Sequence, residues 1–433
     1  MSRSRPVKSI CRSSHALAAL GVSAFALYGA KVLINIFGPQ PPFTMQSPDF
    51  PLDSEEFIQF LSILTDGTRR RSHLHRLKNG NEFYPAELEA IRSARHAINM
   101  EFYEFVPGEV SRRMLEALTE RASAGVDVRL IVDAAGSLRT SNSYFDQLRA
   151  AGGRMCWYHP LRWNTWPEYN QRTHRKIIII DGHTGFMGGA GIADHWIHST
   201  HTGPAWRDTV FRVDGEAVAG LISAFAENWL ESAGEILSGL KEFGFRAMPE
   251  GAESFVVTST PRGGGTQARV LFQALIRSAQ KSICITTPYF LPDKSARRAF
   301  VEARSRGVRV QILTAGPHID HPIIHKLSRP ATRDLIRAGA EVYDYLPSMI
   351  HAKLMTIDGL WSVVGSTNFD HRSFALNDEV NLAILDRELA AVIDSDFSAD
   401  LEQSRRLSES MLGRRGPLAV IDSVVGHALR FES

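Results

Sequence analysis

The feature that most constrains this chain is a short pattern written twice. Thr173-His174-Arg175-Lys176-Ile177-Ile178-Ile179-Ile180-Asp181 and Ile350-His351-Ala352-Lys353-Leu354-Met355-Thr356-Ile357-Asp358 both read His-x-Lys-x-x-x-x-Asp. Each then crosses an equal gap to a run of small residues, Gly188-Gly189-Ala190-Gly191 in one copy and Gly365-Ser366-Thr367-Asn368 in the other. On a strand, residues two apart share a face. His174 should therefore project with Lys176, and His351 with Lys353, while the apolar residues beyond them bury the strand.

The surroundings repeat as well. Apolar periodicity predicts a helix over 86–97 and a strand over 98–103, then a helix over 110–124 that stops at Gly125 and a strand over 126–132. The second half predicts a helix over 268–279, a strand over 282–287, a helix over 295–305 ending at Gly307, and a strand over 308–313. Ile91-Arg92-Ser93-Ala94 matches Ile276-Arg277-Ser278-Ala279 letter for letter. Alternating strands and helices imply an α/β protein of βαβ units with a largely parallel sheet. Short helix–strand pieces recur by chance, but here the chemistry recurs with them, which makes duplication the reading.

With 433 residues the chain has room for two domains. We divide it into a basic flank, apolar run and Pro-rich connector (1–42), a first half (43–250), a Gly-rich linker (251–266), a second half (267–410) and a tail (411–433). Lys plus Arg number 49 against 47 for Asp plus Glu. Proteins that bind nucleic acid through its phosphates carry a stronger basic excess, so no nucleic-acid partner is expected. Cys11, Cys156 and Cys284 form no Cys-x-x-Cys pair and no disulfide framework.

The N-terminus reads differently. Arg3, Arg5, Lys8 and Arg12 precede a mostly apolar run from Ala16 to Phe37, about long enough for a hydrocarbon core of roughly 30 Å. Lys31 lies toward one end, where its side chain can reach the interface. A cleaved signal peptide is the alternative, but Tyr28 fits the small-x-small cleavage pattern poorly. We expect a single-pass anchor in the inner membrane of a bacterial cell, with the body on the extracytoplasmic side because the positive flank stays inside.

The paired motif resembles that of the phospholipase D superfamily. The resemblance implies two tandem halves packed across a pseudo-twofold axis, with both His-x-Lys motifs in one cleft and no metal or cofactor. Displacement at phosphorus needs an attacking group on one side and an acid for the leaving oxygen on the other; imidazole serves either purpose near neutral pH. By resemblance, His174 is the nucleophile that forms a phosphohistidine, and His351 is the acid and then the base. Lys176 and Lys353 would hold non-bridging phosphate oxygens, with Ser366 and Asn368 donating hydrogen bonds to them. Asp208 and Glu379 match the positions that orient the two histidines. Asp181 and Asp358 complete the motif in a supporting role, as turn or salt-bridge residues. One departure stands out, since the family pattern has Asn where this chain has Gly191. Either one phosphate donor is missing from the first half, or a backbone N–H, for which Gly189 is the candidate, replaces it.

The resemblance runs from about Phe83 to Asp400 and is strongest to bacterial cardiolipin synthases. It is carried by Thr287-Pro288-Tyr289-Phe290-Leu291-Pro292-Asp293, His159-Pro160-Leu161-Arg162-Trp163, Ile192-Ala193-Asp194, and Gly365 through Asn381 with Asp370-x-Arg372-Ser373-Phe374. It implies transfer of a phosphatidyl group from one phospholipid, phosphatidylglycerol by expectation, to another. Partners are then phospholipid substrates and the bilayer. Trp157, Tyr158, Trp163, Trp166 and Tyr169 crowd the segment before the first motif, as an interfacial patch or as a packed loop. Residues 417–425 read as an interfacial or a packed helix. A hydrolase with water as acceptor, a nuclease, or a catalytically dead lipid-binding protein share much of this pattern; two complete motifs argue against the last. His195, His198 and His201, and His318, His321 and His325, have spacings seen in metal sites but sit where loops are expected. Gly263-Gly264-Gly265 lacks the Lys-Ser/Thr of a P-loop and reads as linker. A metal-free reaction makes a testable statement: chelators should leave turnover unchanged, and loss of activity restored by added metal would overturn it.

Overall fold

The computed structural model describes residues 45–160, 171–199, 203–239, 248–260 and 266–412. The apolar run expected as an anchor, Trp163, Trp166 and Tyr169, the triple glycine and the tail beyond Leu412 lie outside the described residues. Among those described, no helix is long and apolar enough to cross a membrane.

Each half is built by folding amphipathic helices onto short buried strands. Helix Gly80–Ser93 buries Phe83, Tyr84, Leu88 and Ile91 and delivers the chain into β2 (Ala97–Phe102), whose residues are all buried. This helix starts earlier than the predicted Ala86 because Phe83 and Tyr84 belong to its apolar face. Helix Glu109–Ser123 buries Val110, Met114, Leu115 and Leu118 and ends near Gly125, whose φ of 87° suits a residue without Cβ. It leads to β3 (Asp127–Asp133), after which β4 (Arg154–Tyr158) pairs alongside. The second half repeats the plan: helix Gln267–Ser278, β10 (Ser282–Thr286), helix Lys294–Ser305, Gly307 at φ 89°, β11 (Arg309–Ala315), helix Pro322–Arg337 and β12 (Glu341–Tyr345). Strands β2, β3 and β4 are parallel, as are β10, β11 and β12.

The motifs themselves make hairpins. In the first half they run through β6 (Ile177–Ile180), β7 (Thr184–Gly188) and β8 (Thr209–Gly215); in the second through β13 (Leu354–Ile357), β14 (Trp361–Gly365) and β15 (Asn377–Leu385). The turns explain the motif aspartates. Asp181 and Gly182 have φ of 50° and 71°, Asp358 and Gly359 have 56° and 64°, the backbone that an Asp-Gly hairpin turn requires. The Asp181 carboxylate accepts the backbone N–H groups of Arg95, His96 and Ala97 at 2.7–2.9 Å. Asp358 does the same for Gln280, Lys281 and Ser282 at 2.8–2.9 Å. Each aspartate thus ties its hairpin to the start of the neighbouring strand, away from the histidines.

These hairpins make the sheet mixed, where the sequence implied a largely parallel one. The order is β4-β3-β2-β6-β7-β8-β1-β9-β15-β14-β13-β10-β11-β12-β16, with β1 at Arg70–Lys78, β9 at Ala252–Ser259 and β16 at Ser404–Arg406. It reads almost the same from either end. β1 pairs antiparallel with β8, β9 with β15, and β1 with β9, so the two halves share one continuous sheet. The stretch expected as a linker, 251–266, therefore supplies a central strand. Helix Ala217–Ala233 adds Val218, Leu221, Phe225 and Trp229 to a core that also holds Val364, Val380 and Leu382 of the other half.

Asp358→Ala should lose about 2–3 kcal/mol, because three strand-start N–H groups lose their acceptor and a left-handed turn loses a residue that tolerates it. Asp358→Asn, which keeps the turn residue and the one oxygen that accepts from Lys281 and Ser282, should lose less. Thermal unfolding of the variants reads this, and equal midpoints for wild type and Asp358→Ala would refute the role.

Candidate active site

The two histidines are placed by backbone pairing between the halves. His174, Arg175 and Lys176 lie just before β6. The short β5 (Arg172–Thr173) pairs in parallel with Asn377 and Asp378 of β15, and the His174 N–H donates to the Asp378 carbonyl at 2.8 Å. The second half mirrors this: Arg207 bridges Ile350 in parallel, and the His351 N–H donates to the Arg207 carbonyl at 2.7 Å. Glu379 follows Asp378 and Asp208 follows Arg207. Each bridge therefore carries a carboxylate from one half to the histidine of the other. His174 Nδ1 lies 3.0 Å from both Glu379 carboxylate oxygens. His351 Nδ1 lies 2.9 Å from Asp208 Oδ2.

Burial sets the charge states. His174 is held well below its ordinary pKa, first by desolvation and then by Lys176, Lys353 and Arg372. His351 is lowered to about 3 by desolvation and by Lys353, against the pull of Asp208. Both shifts favour the neutral imidazole. The orienting acids differ. Asp208 is held below the usual carboxylate range despite its burial by hydrogen bonds from His351 and the Thr209 N–H, the latter at 2.7 Å. Burial pushes Glu379 up to about 7, against Lys176 and a Ser366 hydrogen bond. Lys176 and Lys353 are lowered to about 8 and about 7 by desolvation. Each folds back onto its own histidine's carbonyl, at 2.8 and 2.6 Å.

Of the residues expected to touch phosphate, Asn368 lines the cleft beside His174, Lys176 and His351. Ser366 sits one step back: its hydroxyl donates to Glu379 at 2.5 Å and accepts the Val380 N–H. Gly189 has a different use from the one expected. Its N–H faces the Thr209 carbonyl at 3.4 Å, and a Cβ there would come within 2.4 Å of Asp208 and 2.7 Å of the His351 carbonyl. The glycine lets Asp208 and the His351 backbone approach. What Ser366 does for Glu379, Trp196 does for Asp208, donating its indole N–H at 3.0 Å. Trp196 and Trp206 also pack on the His351 ring at 5.8 and 5.3 Å between centroids, while Tyr103 stands edge-on to His174 at 5.3 Å.

The rest of the lining comprises Tyr103, Glu104, Tyr289, Asp320, His321, Asp370, Arg372, Ser373 and Asn377, with the two tryptophans. Tyr289, Arg372 and Ser373 fall in segments that the family resemblance marked. Glu104 and Asp320 were missed; the only signal for Glu104 was its place directly after a predicted buried strand. Trp157 and Tyr158 are packed side chains: Trp157 rests on Phe145 at 5.8 Å, and the Tyr158 hydroxyl reaches Asp378 at 2.5 Å. The spaced histidines separate. His195 stacks between Trp196 and Trp206, His198 faces Glu109, and His325 faces Asp344; His201 lies outside the described residues. Among the described residues, no three His, Cys, Asp or Glu are placed to share a metal ion.

Comparison with known proteins agrees with this geometry. The family model "Cardiolipin synthase, PLD-like domain" matches residues 88–200 and 272–401, more than half of the chain. A probable cardiolipin synthase of Bacillus subtilis is 35% identical over 347 residues, covering 80% of this chain and 69% of that protein. A cardiolipin synthase of Oceanobacillus iheyensis is 33% identical over 337 residues, covering 78% of this chain and 70% of its own. Among solved structures, phosphatidylserine synthase of Haemophilus influenzae superposes with a TM-score of 0.64 at 15% identity, covering 87% of this chain and 99% of that one. At that identity the likeness speaks for the fold.

The exchange of Ser366 for Trp196 between the halves can be tested. Ser366→Ala and Trp196→Phe each remove one hydrogen bond to an orienting carboxylate. Each should lower kcat about tenfold with little change in KM. A change confined to KM would show that these side chains contact substrate instead.

Proposed function

Because the chain belongs to the cardiolipin synthases built from phospholipase D-like domains, we propose that it moves a phosphatidyl group from one phosphatidylglycerol to the headgroup hydroxyl of another, through a phosphohistidine. It is a phosphatidyltransferase of the phospholipase D superfamily. Its substrates are phospholipids, and it is a membrane enzyme. The observation that carries the finer reading is the pair of histidines clamped through Nδ1 by carboxylates from opposite halves. That clamp uses Nδ1 of each ring and keeps Nε2 for the reaction, although Lys353 Nζ lies 2.9 Å from His351 Nε2 and has to turn to the phosphate for that nitrogen to act.

The two orienting acids support a division of roles. A neutral imidazole whose Nδ1–H is held by Glu379 presents its Nε2 lone pair, which suits His174 as nucleophile. His351 rests on Asp208, a firmly ionised carboxylate that stabilises an imidazolium, which suits the acid. His174 Nε2 attacks phosphorus, the bond to the leaving glycerol oxygen breaks, and His351, which takes up a proton when the phosphodiester anion binds, delivers that proton to the leaving oxygen. Neutral His351 then takes the proton from the incoming hydroxyl as that oxygen displaces His174. Lys176, Lys353 and Asn368 hold the non-bridging oxygens as charge builds on them. Ser366, Asp181, Asp358 and Gly189 support this machinery through positioning and packing. The N-terminal run over Ala16–Phe37 would anchor the enzyme, with its basic flank inside and its body outside.

The test is a product assay of the purified full-length protein with phosphatidylglycerol in detergent micelles. Cardiolipin and glycerol should form, and His174→Ala and His351→Ala should each lower the rate at least about a thousandfold while unfolding like wild type. Phosphatidic acid without cardiolipin would make the protein a hydrolase. Full activity in either variant would refute the roles.

A further inference from the structure

The two walls of the cleft are built from equivalent positions that carry different chemistry. Phe105 bridges Ile192 in parallel in the first half, as Phe290 bridges Phe369 in the second. This register pairs Glu104 with Tyr289 and Gly191 with Asn368. The second half thus offers the cleft an amide and a phenol, and the first offers a carboxyl and a bare backbone. The substitution is sterically linked. A Cβ at position 191 would lie 3.0 Å from both the Glu104 Cβ and its carbonyl oxygen, and 3.2 Å from the Trp196 ring. The Ile192 N–H fixes that Glu104 carbonyl at 2.8 Å. The room that an asparagine would need on this wall is taken by Glu104 and Trp196.

Glu104 is 25% exposed, and its carboxylate makes no hydrogen bond among the described residues. His195 Nε2 approaches to 3.7 Å, beyond hydrogen-bond reach, and the His195 ring, lowered to about 4 by burial, is uncharged. The charged groups that act on Glu104 are Lys176 from the cleft floor, Arg139 from the loop after β3, and Asp320 from the opposite rim. Desolvation raises Glu104 to about 7. Opposite, the Tyr289 hydroxyl is already engaged, donating to Asp320 at 2.6 and 2.8 Å. Asn368, only 6% exposed, keeps a side-chain oxygen without a partner among the described residues. Lys176 and Arg372 offer cations to the phosphate in this cleft, whereas the Glu104 carboxylate only accepts and repels phosphate oxygens unless a hydrogen-bond donor lies between. The alcohol that enters or leaves is the part of the substrate that carries such donors.

We propose that Glu104 is a specificity-determining residue that accepts a hydrogen bond from a second hydroxyl, vicinal to the reacting one, and so selects a 1,2-diol headgroup over a simple alcohol. This rests on the phosphatidyl-transfer reading of the same cleft. It gives the unlike walls distinct tasks: Asn368 faces the phosphate, and Glu104 faces the alcohol. An apolar side chain at position 104 would fill the same space without an acceptor for that hydroxyl.

The test is a competition. Full-length protein in micelles of phosphatidylglycerol, the phosphatidyl donor, receives equal concentrations of 1,2-propanediol and 1-propanol, and the two new phosphatidyl alcohols are quantified from one mixture. Wild type should form the diol product in about tenfold excess. Glu104→Leu should bring the ratio close to one, and Glu104→Gln, which retains an acceptor oxygen, should fall between. A general loss of rate or of folded protein lowers both products together and leaves the ratio intact. An unchanged ratio in Glu104→Leu, or no diol preference in wild type, would overturn the proposal. Product formation that survives His174→Ala would instead fault the transfer mechanism on which it rests.

Discussion

The site depends on an exchange between halves: one parallel backbone bridge and one carboxylate–imidazole contact passed in each direction. Neither histidine is oriented by its own half. His174 is fixed by Asp378 and Glu379 of β15, and His351 by Arg207 and Asp208. The carboxylates are fully buried, so separating the halves would leave ionisable groups stripped of their partners. Arg207 ties the arrangement further, donating to the Asp208 carbonyl at 2.7 Å and pairing with Asp400 at 3.0 Å. The continuous sheet through β1 and β9 gives this exchange its rigid frame. Joining the halves by central strands, not by a flexible connection, holds the two Nε2 atoms in fixed relation.

Duplication fixed the frame but not the contents. Where the second half has Ser366 the first has Gly189 and draws its donor from the Trp196 indole instead, and where the second has Asn368 the first has Gly191. The indole is a donor only and brings a large apolar face. It holds Asp208 and at the same time walls off His351 together with Trp206. The result is one imidazole among tryptophans over an ionised aspartate, and another beside a tyrosine over a glutamate near neutrality. A pseudo-symmetric fold with an asymmetric interior suits the opposite tasks proposed for the two histidines.

Much of this was legible in the letters. Duplicated helix–strand units and paired His-x-Lys motifs located both halves, and the two acids that meet the histidines were named from their motif positions. The sequence could not show that the acids cross over, because 171 residues part Asp208 from Glu379 and only tertiary pairing decides which histidine each meets. The parallel sheet was overestimated because βαβ periodicity says nothing about the Asp-Gly turns that follow the motif strands and reverse them. Asp181 and Asp358 are legible as supporting turn or salt-bridge residues; what the letters could not show is that each carboxylate accepts three backbone N–H groups at the start of the neighbouring strand. β9 went unread because it lies beside a glycine run that suggested a linker. Glu104 was invisible as a cleft residue because its significance lies in a missing side chain at Gly191, more than eighty positions away.

Burial in the cleft opposes the charged form of each of its basic groups. Desolvation lowers both histidines and both lysines; each lysine donates to its own histidine's carbonyl, and Lys353 also lies against the His351 ring. A phosphodiester entering between them supplies the anion that this cluster lacks. Its charge favours protonated lysines over neutral ones and makes an imidazolium on His351 affordable, with Asp208 already ionised behind it. His174 faces the opposite pressure, since Lys176 beside it regains full charge. In the proposed mechanism the substrate thereby helps to set the protonation pattern its own reaction needs, one histidine charged and the other neutral. A cleft held ionised in advance would have to bury four cations at once, at a cost of several kcal/mol each.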